Sequence, residues 1–217
     1  MQMDSSVLLS RLLYVVPMLL SLTVHEYAHA WSAFRLGDDT ASRQGRLTLN
    51  PLAHIDPLGS LLLPLMGIPF GWARPVPVDP LRFARMLSMR SGMALTAAAG
   101  PASNLTLALL CAVGIGLLGR FAPDRFADDG VEVALLEMAL QINVGLSLFN
   151  LLPVPPLDGS RIAERLVPAR FQGAWDTFAR ASPLLLVAVL VLGGRLLAGP
   201  RSFAFSLLDR VIAVVAG

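Results

Sequence analysis

The chain reads as an all-α polytopic membrane protein. It should have a three-span core, one or two further C-terminal helices, and short strands or a re-entrant segment in the first cytoplasmic loop. Three observations predict this. Of the 217 residues, 55% are hydrophobic and 15% charged, where soluble domains carry about 25% charged residues. The mean hydropathy is +0.65. Three stretches, about 7–34, 92–118 and 133–152, reach the ~20 mostly apolar residues that a span requires.

The remaining elements follow in order, within a single domain over residues 1–217. The first stretch is too long for a signal peptide and lacks a basic start. Arg46–Asn50 alternates, and Arg74-Pro75-Val76-Pro77-Val78 is spaced by prolines, so both read as short strands. An exposed edge there could take an unwound peptide as an added strand. Between them, Pro57–Phe70 is apolar but short, and Gly59, Pro64, Gly67 and Pro69 interrupt it. It reads as a re-entrant or surface-lying segment. A further helix is expected at 183–199, with Arg195 near one end able to snorkel. Another at 203–216 carries Asp209 and Arg210 in its middle, which suits an interfacial or packed helix.

Charge sets orientation and limits partners. The segment Arg35–Ser91 has seven Arg, and Pro153–Arg180 has four. Arg120–Glu132 sets two Arg against Asp124, Asp128, Asp129 and Glu132. The positive-inside rule puts the Arg-richer loops in the cytoplasm and the N-terminus outside, in a cell (plasma or inner) membrane. The basic residues, all Arg, are scattered without an aromatic platform, which argues against nucleic acid as a partner. The single cysteine, Cys111, excludes an internal disulfide and reads as a small core residue.

Chemistry concentrates in His25-Glu26-Tyr27-Ala28-His29, inside the first apolar stretch. Ionisable groups within a span are functional candidates. Residues four apart share a helix face, so His25 and His29 can bind one zinc ion, with Glu26 placed to take a proton from water at the metal. A catalytic zinc needs a third protein ligand. Asp158 is the best candidate, because the topology returns it to the same side of the membrane. It lies in Asn150-Leu151-Leu152-Pro153-Val154-Pro155-Pro156-Leu157-Asp158-Gly159. The prolines break the helix before Asp158, and Gly159 permits close approach or a positive φ.

These motifs, together with Gly100-Pro101-Ala102-Ser103-Asn104, resemble the site-2 proteases, the intramembrane zinc metallopeptidases. The stretch Gly45-Arg46-Leu47-Thr48-Leu49-Asn50-Pro51, followed by His54-Ile55-Asp56-Pro57, resembles the short bacterial and archaeal branch, without a PDZ or nucleotide-sensing domain. The resemblance covers roughly residues 7–165. It implies one zinc per chain on His25, His29 and Asp158, with Glu26 as general base. It also implies membrane-spanning protein substrates within the lipid bilayer, chosen by the membrane or a regulatory membrane partner.

Three further residues are candidates for substrate or oxyanion contact. The Asn150 amide could hold either, or could bond a carbonyl of its own helix. His54 could reach the site or serve as an ordinary loop histidine. Asn104 fits a helix–helix hydrogen bond or a substrate contact. Two other readings stand beside the protease: a metal transporter, and a catalytically silent homologue that binds membrane proteins.

Overall fold

A computed structural model describes residues 5–68, 71–85, 87–124 and 130–217, without the side chains of residues 5–10 and 12. Three long helices form the bundle: α1 (Ser5–Arg35), α2 (Met89–Phe121) and α3 (Val131–Asn150). Four more follow: α4 (Asp158–Leu166), α5 (Gln172–Arg180), α6 (Ser182–Leu196) and α7 (Ala198–Ala216). Helix α2 is central and touches α1, α3, α4 and α7.

The central position of α2 follows from one ridge of its sequence. Thr96, Gly100, Asn104, Ala108, Ala112 and Gly116 recur every fourth residue and are all buried. Such i+4 rows are the ridges by which helices interlock. The C-terminal half of the ridge is small and apolar, so backbones approach closely. There Ala108, Ala112 and Ile115 pack on Leu140 and Val144 of α3, and on Phe205, Leu208, Val211 and Ile212 of α7. Cys111 packs against the same cluster. The N-terminal half of the ridge is polar and faces α1.

Among the described residues, α2 and α3 are apolar and long enough to cross a membrane. The last turn before α5, α5 itself and α6 form a pair bent by 66° that would count as a third if taken as one span. Helix α1 has 31 residues, about 46 Å at the usual rise, more than a hydrocarbon core requires. Its bounds and those of α2 and α3 fall within three residues of the apolar stretches. The expected last helix begins earlier, at Ala198, and it is a packed helix seated on α2.

The first loop departs from expectation. No strand occurs among the described residues. Asn50 turns the chain instead, accepting the Leu52 N–H at the start of a helical turn over Pro51–Ala53. Arg74–Val78 joins no ladder: Pro75 and Pro77 leave one edge without donors, and on the other edge the Arg74 and Val76 N–H groups bond to the loop and to α1. Pro57–Leu65 forms a wide helical turn, capped by Asp56 through the N–H groups of Leu58 and Gly59. Pro69, Asp128 and Asp129 lie outside the described residues.

A Cβ on Gly116 would stand 2.7 Å from Val215 Cβ and 2.9 Å from the Ile212 carbonyl oxygen. Gly116→Leu should therefore push α7 away and destabilise the fold by about 1–3 kcal/mol. This would be read as a lower unfolding midpoint in detergent. An unchanged midpoint would mean that α7 does not seat on this glycine.

Candidate metal centre

His25 and His29 project from the last third of α1 toward the polar half of the α2 ridge. Gly100 makes that possible. A Cβ there would lie 2.5 Å from His29 Nε2 and 2.6 Å from His25 Cε1. On either side of that gap, α2 supplies one acceptor to each ring. His25 Nδ1 is 2.6 Å from Asn104 Oδ1, and His29 Nδ1 is 2.7 Å from the Thr96 carbonyl oxygen.

The direction of these bonds can be read from their partners. Asn143 Nδ2 on α3 donates to Ser21 Oγ (2.8 Å) and to the Ala139 carbonyl (2.8 Å). Its Oδ1 must accept, and it takes a bond from Asn104 Nδ2 at 2.7 Å. Asn104 Nδ2 also donates to the Ser21 carbonyl at 3.4 Å. Asn104 Oδ1 is then an acceptor, so His25 Nδ1 must be the donor. For His29 the same holds, because a carbonyl can only accept. Each neutral imidazole thus spends its one hydrogen on Nδ1 and leaves a bare lone pair on Nε2.

Those lone pairs converge. The two Nε2 atoms are 3.0 Å apart. Asp158 Oδ2 lies 3.2 Å from His25 Nε2, and Oδ1 lies 3.3 Å from His29 Nε2. Asp158 Oδ2 is buried and has no hydrogen-bond donor, despite that short contact. The tautomer explains why: the nitrogen facing it carries no hydrogen. Acceptors gathered without a donor need a cation between them. Ligand pairs around a tetrahedral zinc stand about 3.3 Å apart for bonds of ~2.0–2.1 Å, so the observed spacing fits. His25, His29 and Asp158 could therefore hold a metal ion.

Asp158 is the first residue of α4, just past the turn that closes α3. Gly159 allows the approach: a Cβ there would stand 2.2 Å from the Leu151 carbonyl oxygen. Its φ is not positive, so close contact is the operative reason. The Asp158 side chain is 18% exposed, against 7% for His25 and 12% for His29. The open side of the cluster therefore faces past the carboxylate. Glu26 sits next to His25 in sequence, and its Oε2 accepts the Val76 N–H at 2.9 Å.

The three further candidates are placed differently. Asn104 is fully buried and spends both ends of its amide on the histidine cage, so it supports a ligand where a substrate contact was an option. His54 is fully buried in the first loop with Nε2 on the Thr48 carbonyl (2.9 Å), and it is not a member of the ligand cluster. Asn150 donates to the Leu146 carbonyl of its own helix at 3.0 Å. Sequence reasoning did not anticipate the support given by Thr96, or the amide on Glu26. The fourfold ridge of α2 was a readable sign of the first; a backbone N–H leaves no sign of the second.

A family model described as "Peptidase family M50" matches residues 116–193. "Putative zinc metalloprotease YwhC" of Bacillus subtilis (strain 168) is 45% identical over 156 residues, covering 71% of this chain and 68% of that protein. "Putative zinc metalloprotease Rip2" of Mycolicibacterium smegmatis is 32% identical over 180 residues, covering 83% and 67%. Its namesake in Mycobacterium tuberculosis (strain H37Rv) is 35% identical over 174 residues, covering 80% and 63%. No solved structure matches the chain.

Asn104→Leu would leave the His25 ring without its acceptor. It is expected to weaken zinc affinity about 10–100-fold, measured on the apoprotein by competition with a chromophoric chelator. Unchanged affinity would mean that the tautomer is set elsewhere.

Proposed function

The chain belongs to peptidase family M50, and on that premise we propose that it is a zinc-dependent intramembrane endopeptidase. It would hydrolyse peptide bonds in or near the membrane-spanning segments of other proteins, as in regulated intramembrane proteolysis. The observation that carries this reading is the convergence of His25, His29 and Asp158 beside Glu26. A zinc ion held there supplies an acidified water and polarises a substrate carbonyl.

The residues of the chain do the rest. Asn104 and Thr96 aim the imidazoles and keep their hydrogens on the far nitrogens. Glu26, with Oε2 held by Val76, has Oε1 for the water proton and passes that proton to the leaving amine. Asn150 spends one Nδ2 hydrogen on the Leu146 carbonyl, and its second hydrogen and Oδ1 are the groups it would offer a substrate. A substrate helix hides its peptide bonds in its own ladder, so it must unwind locally first. Residues of low helix propensity near the cut favour that.

With α1, α2 and α3 as spans, the site lies toward the membrane face that carries the Arg-richer loops. This supports a cytoplasmic site and an external N-terminus. A transporter would need a relay of ligand sets. Among the described residues there is one such cluster.

The test is cleavage of single-span peptides in proteoliposomes. Glu26→Gln should lower the rate by about 10²–10⁴-fold while retaining zinc, and a chelator should abolish cleavage by the wild type. Equal rates from both proteins, or no fragment from either across the panel, would count against the peptidase.

A further inference from the structure

Two groups stand out among the buried polar side chains. Ser21, His25, Thr96, Asn104 and Asn143 surround the metal cluster. Asp38, Arg46, His54 and Ser60 do not, yet each is less than a tenth exposed. Burying such groups is costly unless their bonds are made, so the second group needs a purpose.

All four bind, or belong to loops that bind, one extended segment. Ser60 Oγ donates to the Trp72 carbonyl (2.7 Å). The Arg74 N–H donates to the His54 carbonyl (2.8 Å), while the His54 ring fixes its own loop. Arg46 Nη2 donates to the carbonyls of Arg74 and Pro75. The Asp79 N–H donates to Asp38 Oδ2 (2.7 Å). Between these anchors stands Val76, whose N–H meets Glu26 Oε2. Pro75 and Pro77 fix φ on both sides and have no N–H to compete with it.

We propose that Arg74–Val78 is a positioning strap for the general base, set by Arg46 and acting through the Val76 N–H. The proposal rests on the reading of Glu26 as that base. A carboxylate pinned at one oxygen presents the other in a fixed direction, which matters because small misplacements of a reacting group cost much of the rate. The strap acts on turnover and leaves metal binding to the histidine cage. Two of its three N–H groups, at Arg74 and Val76, are already bonded within the protein.

Val76→Pro tests this directly, since it keeps φ in the extended range and removes the Val76 N–H. In proteoliposomes, kcat should fall about 10²-fold, with KM and zinc content unchanged. Arg46→Ala should act in the same direction, and Arg46→Lys should recover part of the loss, because an ammonium still donates to the two carbonyls. Unchanged kcat in Val76→Pro, or a loss that tracks lost zinc, would overturn the proposal. Hydrogen exchange provides an arm independent of activity. The stretch 74–78 has amides only at Arg74, Val76 and Val78, and Glu26→Ala should speed exchange there. Unchanged exchange would overturn the strap even if Val76→Pro failed to fold. A wild type that cleaves no peptide would instead count against the peptidase reading, and the exchange result would still decide whether Glu26 is held.

Discussion

A histidine in an apolar helix can offer a lone pair to a metal only after its hydrogen has been placed elsewhere. In this protein the placement is made by α2, through Asn104 Oδ1 for His25 and the Thr96 carbonyl for His29. The first of these depends on a directed chain. Ser21 Oγ donates to the Pro17 carbonyl, Asn143 donates to Ser21, Asn104 donates to Asn143, and His25 donates to Asn104. Every member has one permissible direction, so the chain across α1, α2 and α3 decides a single tautomer. Packing follows the same demand. Gly100 must be a glycine because both rings occupy the space of its side chain.

The ridge on α2 joins this chemistry to the fold. One helical row serves two tasks, with polar and small residues at 96–104 receiving the imidazoles and small residues at 108–116 receiving α3 and α7. A shift of α2 along its axis would disturb both, so the packing of the distal half holds the proximal half in register. The first loop follows a different logic. Its buried charges, Asp38 and Arg46, bind backbone groups in place of oppositely charged side chains. Such bonds fix a chain path, which is what a short extended segment between prolines lacks on its own.

Much of this was legible in the residues. The pairing of His25 with His29 follows from helix geometry, and Asp158 from the expected topology, in which three spans would return it to the side of the histidines. Gly159 was readable as a close approach, and α7 as a packed helix because Asp209 and Arg210 interrupt its apolar pattern. The strands were misread because alternation in Arg46–Asn50 and Arg74–Val78 does not say where the donors go: the N–H groups of Arg46, Asn50, Arg74 and Val76 bond to turns, to the loop and to α1. Asn104 was visible as polar glue between helices. That it receives a histidine hydrogen depends on the relative register of α1 and α2, which local pattern does not contain. The contact of Val76 with Glu26 comes from the backbone and joins residues fifty positions apart, so no side-chain motif announces it.

In the proposed centre, two imidazole Nε2 atoms and one carboxylate oxygen, pre-aimed by α2 and α4, would hold a zinc ion. X-ray absorption at the zinc edge of the purified, zinc-loaded protein reads this ligand set. Two imidazole nitrogens and oxygen donors at about 2.0–2.2 Å are expected, with one imidazole contribution lost in His29→Ala. A spectrum without imidazole scattering, or one unchanged by removal of His29, would contradict it.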